Sequence, residues 1–291
     1  MKRQYKQVDV FTSVPFKGNP VAVVMDAKGL STTQMQTIAN WTNLSETTFV
    51  FPAESLDADY KVRIFTPGSE LPFAGHPTIG TAFALLESGI ISTRNGKVVQ
   101  ECAAGLIPLS VSALDSGDIS IAFELPKPQF VELSDEQVIL FSSIIGCELD
   151  MKFRPKLVDV GARWVVARAI NASAVIDATP KFDKLSSFDR ALNATGSCIF
   201  GEYPTDSHAQ IEVRSFAPSC GVNEDPVCGS GNGSVAAYIR EQNIFGFEDV
   251  SVNSSQGQIM GREGTVNLTI SSDSICVGGT AMTCIEGILR F

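Results

Sequence analysis

The sequence predicts a mixed helix-and-strand protein built from two similar halves. Three observations carry this. The stretch Lys61–Glu87 reads as a strand (Lys61–Thr66), a Pro/Gly loop and an apolar helix beginning near His76. The same layout returns about 150 residues later, with a strand from Ile211, a loop, and a helix from about Ser230. A constant offset also pairs other segments: Val8-Asp9-Val10 with Val158-Asp159-Val160, and Val62-Arg63-x-Phe65-x-Pro67 with Val213-Arg214-x-Phe216-x-Pro218. That period is too long for a solenoid and indicates an internal duplication. In each motif the loop delivers free backbone N–H groups at a helix start, where the dipole attracts an anion. Two such motifs facing one another would form an anion-binding cleft.

In chain order, Val8–Phe11 and Val21–Val24 read as strands joined by the turn Pro15–Pro20. Ser31 with Gln34 is a capping box for a helix to about Thr42. Thr47–Phe51, β-branched and aromatic, is a strand entered through Leu44-Ser45-Glu46. Val98–Cys102 and Ile107–Ser112 follow as strands, and the first half ends near Ser116-Gly117. Ile119–Leu125 opens the second half, and Ser134 with Gln137 caps a helix to Ile145. Leu157–Val160, Trp164–Arg168 and Ser197–Gly201 are strands, with a helix over Asp183–Ala194 matching the one at 31–42. The tail alternates strands and turns: Val250–Asn253, Gln258–Met260, Val266–Ile270, Ile275–Val277 and Ile285–Leu289.

With 291 residues, 44% hydrophobic and 19% charged, the chain buries a large core and divides into two domains. A net charge of −10 without a Lys/Arg run argues against nucleic acid and anionic membrane as partners. The basic N-terminus has no apolar run behind it, so it does not read as a signal peptide, and no stretch approaches the ~18 apolar residues of a membrane span. Seven cysteines with no CxxC pair, and only two histidines, predict reduced thiols in the cytoplasm and no zinc-type cluster.

Few residues stand out for chemistry. Glu46, between a helix and a strand, reads either as a surface carboxylate or as a general base whose pKa rises against Trp41, Leu44 and Phe49. His76 reads as a polar cap or as a proton shuttle, with Pro77 as the N1 residue fixing the helix start. His208 lies in a polar loop and reads as solvated. Asp225 precedes Pro226 and the Gly/Ser-rich run from Cys228 to Gly233. The spacing is wrong for a dinucleotide loop, which leaves a helix cap or an oxyanion-holding helix start at Gly229 and Gly231.

Ser45-Glu46-Thr47-Thr48-Phe49, Phe73 to Gly80 (FAGHPTIG) and Glu224 to Gly231 (EDPVCGSG) strongly resemble the PhzF-like family of phenazine biosynthesis. Val8–Phe11, Gly18-Asn19-Pro20-Val21-Ala22-Val23 and Gln256-Gly257…Met260-Gly261-Arg262 fit too, so the resemblance spans the chain in order. It implies an α+β, diaminopimelate-epimerase-like fold: two pseudo-symmetric domains, each a mostly antiparallel sheet or barrel wrapped around a central helix. The implied domains are 1–116 with 281–291, and 117–280, with the active site in the cleft between them. It further implies a cofactor-independent isomerase, homodimeric, that moves a proton between carbons of a small unsaturated carboxylic acid. Glu46, His76 and Asp225 take the catalytic positions; Asn19, Ser45, Gly75, Gly229 and Ser230 those that hold substrate. The racemases of this fold use two cysteines at the two helix starts. Here Cys228 stands at one and Ala74 at the other, so two-thiol stereoinversion is disfavoured. A lone reactive thiol at Cys228, or a non-catalytic acid-binding protein on the same fold, remain as alternatives.

Overall fold

The computed structural model describes residues 2–246 and 249–290. Its contacts divide the chain into two compact units, Met1–Phe123 with Gly278–Phe291, and Glu124–Val277. The expected boundary near 116–117 lies in the turn just before the strand at whose end this division falls.

The first unit runs β1 (Lys2–Val10), β2 (Asn19–Val24), α1 (Thr32–Thr42), β3 (Thr47–Phe51), β4 (Tyr60–Phe65), β5 (Glu70–Leu71), α2 (Gly75–Glu87), β6 (Lys97–Cys102), β7 (Gly105–Ala113) and β8 (Ile119–Glu124). The capping box at Ser31/Gln34 is formed, and α1 ends on Asn43 in the left-handed conformation (φ 53°). Its apolar face packs Met35 and Ala39 against Val24, Phe49 and Phe65. Helix α2 is apolar around most of its circumference and is buried from Gly75 through Ala82, as a helix enclosed by sheet must be.

The second unit runs β9 (Gln129–Glu132), α3 (Asp135–Ile145), β10 (Lys156–Asp159), β11 (Arg163–Arg168), α4 (Ala172–Ile176), α5 (Phe182–Ala191), β12 (Gly196–Glu202), β13 (Ile211–Ala217), β14 (Val222–Asp225), α6 (Gly229–Glu241), β15 (Val250–Gln256), β16 (Gly264–Ile270) and the start of β17 (Ile275–Arg290). Ser134 and Gln137 form the second capping box. Phe141, Ile145, Leu157, Val165, Val175, Leu185, Ile199 and Phe216 share one core. Helix α6 is the buried counterpart of α2.

Strand pairing repeats the duplication. In the first unit β2 is parallel to β3, β3 antiparallel to β4, β4 parallel to β6, and β6 antiparallel to β7. In the second, β11 is parallel to β12, β12 antiparallel to β13, β13 parallel to β15, and β15 antiparallel to β16. Even a side-chain clamp is repeated. Arg63 grips Glu70 with Nε and Nη2 at 2.7 and 2.6 Å, and Arg214 grips Glu224 at 2.8 and 2.8 Å.

Two tail expectations are corrected. Gln258–Met260 is not a strand but a 3-10 turn, because Gly257 (φ 101°) and Gly261 (φ 71°) turn the chain on either side of it. The strands expected at 275–277 and 285–289 are one continuous strand, β17. Gly278 does not break it. A Cβ there would lie 2.6 Å from the Ala122 Cβ and 2.9 Å from the Ile121 carbonyl oxygen, so glycine marks close strand packing rather than a turn. No helix among the described residues is long and apolar enough to cross a membrane.

Candidate active site

In the first unit, Glu46 closes the loop between α1 and β3, its carbonyl held by the Ala22 N–H at 3.3 Å. Its side chain is half-buried, and Oε2 lies 3.3 Å from Nε2 of His76. His76 is the second residue of α2, and its ring donates a hydrogen bond to the Pro20 carbonyl. Burial pushes the imidazole down to about 3, against the pull of that hydrogen bond. The ring is therefore neutral near pH 7, and its Nε2 lone pair faces the carboxyl. With the ring neutral, this contact is a close approach of carboxyl and imidazole rather than an ion pair.

Around them, Asn19 is fully buried at the start of β2, next to the Pro20 that holds His76. Ser45 is half-buried beside Glu46. Ala74 offers α2 no side-chain cap, and the first turn of the helix is buried. Gly75 is required by packing, since a Cβ would lie 2.8 Å from the Phe123 ring. Pro77 is the third helical residue rather than the first. Because the first helical bond is Thr78 N–H to the Ala74 carbonyl, its missing donor costs the helix nothing.

Under α2 lies a polar ladder. Thr81 Oγ1 donates to Thr48 Oγ1 at 2.8 Å, and Thr78 accepts from Gln100, which accepts from the Tyr60 hydroxyl at 3.0 Å. These buried groups satisfy one another and fix the helix that carries His76. A cavity of about 630 Å3 in the same unit, lined by Lys6, Glu87 and Glu286 among others, contains none of the expected site residues. Its buried ammonium is already paired with Glu87 at 2.6 Å.

In the second unit, Asp225 ends β14 and accepts the Val227 N–H at 3.1 Å. It is not the cap of α6, because Cys228 fills that role, its sulfur accepting the Gly231 N–H at 3.3 Å. Burial pushes the Asp225 carboxyl up to about 6, offset by hydrogen bonds from Val227 and the Cys228 thiol. The strand carrying it is fastened by Arg214, which also donates to three carbonyls at the end of α4 (Val175, Ile176 and Ala178).

Burial pushes the Cys228 thiol well above its ordinary value, and the Asp225 carboxylate adds to this. The helix start does not activate it, and the thiol is a buried, packed side chain rather than the lone reactive thiol of the alternative reading. Gly229 opens α6 and is buried; Ser230 follows it, half-buried, at 3.6 Å from the Cys228 sulfur. The extra glycine at 231 is a packing requirement: a Cβ there would meet Ser215 Oγ at 2.5 Å and the sulfurs of Cys198 and Cys228 at 2.8 and 3.2 Å. His208 is exposed.

Sequence reading missed Trp164, taken only as a strand residue. Its indole Nε1 donates to Ser230 Oγ at 3.1 Å. A buried tryptophan N–H needs an acceptor, and that requirement was the available signal.

Residues 8–287 match the PhzC-PhzF family, described as phenazine biosynthesis-like protein. The chain is 42% identical to the Schizosaccharomyces pombe protein Antisense-enhancing sequence 1 over 98% of both chains. It is 34% identical to trans-2,3-dihydro-3-hydroxyanthranilate isomerase of Pseudomonas chlororaphis, over 89% of this chain and 87% of the relative. The crystal structure of the Bacillus anthracis phenazine biosynthesis protein of the PhzF family is similar with a TM-score of 0.88 at 28% identity, covering all of both chains. A hydroxyproline epimerase from Agrobacterium vitis shares the fold at 14% identity, with a TM-score of 0.64 over 99% of this chain and 92% of that one.

Proposed function

The chain belongs to the PhzC-PhzF family of phenazine biosynthesis-like proteins and is an isomerase, and we propose that it shifts a proton between two carbons of a small unsaturated carboxylic acid, with Glu46 as the acid/base. The observation that carries this reading is the 3.3 Å contact between Glu46 Oε2 and the Nε2 of a neutral, buried His76. Such a pair accepts a proton and gives it back without a cofactor. Glu46 takes the proton from an activated carbon, the electron pair spreads into the conjugated acid, and the same carboxyl returns the proton to another carbon on the same face. Nothing is oxidised or reduced. Neutral His76 holds the carboxyl proton in the interval and keeps it aimed.

The substrate carboxylate lies near the starts of α2 and α6, with Asn19, Ser45, Gly75, Gly229 and Ser230 around it. Asp225, poised near pH 6, supplies or relays a proton on the opposite side. This reading expects a homodimer in the cytoplasm. A one-thiol mechanism is disfavoured by the raised Cys228 thiol.

The test is proton exchange. Trans-2,3-dihydro-3-hydroxyanthranilate and a panel of unsaturated carboxylic acids are incubated with the protein in D2O and read by mass spectrometry. Deuterium enters one of them with the wild type, and Glu46→Gln lowers the rate roughly 100-fold or more. Full incorporation by Glu46→Gln refutes the assignment. Melting shifts with these acids but no exchange by the wild type would indicate an acid-binding protein instead.

A further inference from the structure

We propose that Trp164 is a positioning residue for the start of α6: its indole N–H fixes Ser230 Oγ so that the hydroxyl proton is presented to a carboxylate oxygen of the ligand. The proposal rests on the reading that a carboxylic acid binds there. The argument is one of donors and acceptors. An indole N–H only donates, whereas a hydroxyl has one proton and two lone pairs. Trp164 Nε1, at 3.1 Å, occupies one lone pair of Ser230 permanently, so the Ser230 proton cannot point that way.

The other polar neighbour recorded for this hydroxyl is the Cys228 sulfur at 3.6 Å. That thiol in turn gives its own proton to Asp225. Sulfur is a weak partner for this hydroxyl, and a carboxylate oxygen outcompetes it for the Ser230 proton.

The indole is enclosed by packing. Trp164 is 2% exposed on β11. Its Cζ3 lies 2.8 Å from where a Cβ on Gly196 would sit, so only glycine at 196 admits the ring. Ser230 is thus oriented before the ligand arrives, and the orientation cost is not charged to binding. A ligand presenting only donors at this point meets a proton facing a proton, which selects for carboxylates.

The test uses the protein's two tryptophans. Trp41 is 79% exposed, so Trp41→Phe leaves Trp164 as the sole indole emitter. In that variant, benzoate should change the emission saturably, and benzylamine, whose ammonium presents only donors, should not at equal concentration. Benzoate affinity is then measured by calorimetry for the wild type, Trp164→Phe, Ser230→Ala and the double variant. Trp164→Phe should weaken binding roughly 3- to 10-fold, the worth of one oriented hydrogen bond. Once Ser230 is alanine, removing the indole should change nothing further.

Additive losses, or emission indifferent to benzoate, overturn the proposal. If Trp164→Phe does not fold, Ser230→Ala in the Trp41→Phe background decides: its emission maximum must shift, and an unchanged maximum refutes the hydrogen bond. A wild type that exchanges no deuterium yet shows this coupling sinks the isomerase reading and keeps Trp164. Exchange without the coupling sinks Trp164 alone.

Discussion

Asp189→Asn should gain stability relative to the wild type as pH rises from 4 toward 7. Asp189, on α5, is fully buried. Its Oδ1 accepts the Ser197 hydroxyl at 2.8 Å, while Oδ2 is buried with no hydrogen-bond partner. Burial pushes the carboxyl from its ordinary 3.8 up to about 7, against the Ser197 bond and the Arg190 charge. The folded protein therefore binds this proton more tightly than the unfolded chain. The resulting stability is complete below pH 3.8, and falls by ~1.4 kcal/mol per pH unit as pH rises toward 7. Above 7 both states are ionised and the loss levels off at ~4 kcal/mol, the worth of about three units. Asparagine has no such ionisation. Its Nδ2 in place of Oδ2 adds a constant offset that does not depend on pH. Urea unfolding of both proteins at pH 4.5, 5.5, 6.5 and 7.5 reads the effect as a difference between the two curves. Asp225 shares the same sign but is common to both proteins and cancels. The difference should tilt steadily toward the variant and flatten above pH 7. A difference flat across the series would show that Asp189 is not held protonated, and the reasoning from burial would fail.

Four further outcomes follow from the site. The pH profile of kcat/KM should show an inflection near 6 from Asp225, with activity falling above it as the carboxyl loses the proton it donates; Asp225→Asn should lack that inflection, and its persistence would assign it elsewhere. No inflection from His76 should appear between pH 4 and 8, because its imidazole titrates near 3. Cys228→Ala should retain deuterium exchange, and iodoacetamide should leave the wild type active, since the thiol stays protonated; inactivation by carboxymethylation of Cys228 would overturn this. Gly75→Ala drives a Cβ to 2.8 Å from the Phe123 ring and should cost ~1–3 kcal/mol by overpacking, read as a lower urea midpoint. An unchanged midpoint would mean the ring has room to move.

Much of the fold was legible because its signals are local. Ser31/Gln34 and Ser134/Gln137 form the capping boxes their spacing promises, and Thr47–Phe51 is the strand its β-branched residues predict. The failures came where glycine carries two meanings. Gly278-Gly279 reads as a break but serves close packing inside β17, and Gly257 and Gly261 turn a segment whose composition suits a strand. Four-residue β9 lacked the length to register, and its residues are mostly exposed. Within the site, residue type and motif located Glu46 and His76, and the structure sets them at 3.3 Å. Cys228 could not be read so simply. A helix start argues for a reactive thiol, but the burial and the neighbouring Asp225 carboxylate that reverse the argument are tertiary facts. Trp164 was invisible for the same reason: its partner lies 66 positions away.

The course of β17 orders the birth of the molecule. Residues 281–290 lie against β1, from Arg290 beside Lys2 to Ala281 beside Val10. They leave the ribosome only after 124–277 have done so. The half that is begun first thus waits with β1 unpaired along one edge, while the later half can already close around α6. Synthesis hands the cell an unfinished amino-terminal sheet for most of its duration, and a chain stalled before residue 281 would hold one mature half and one sticky one.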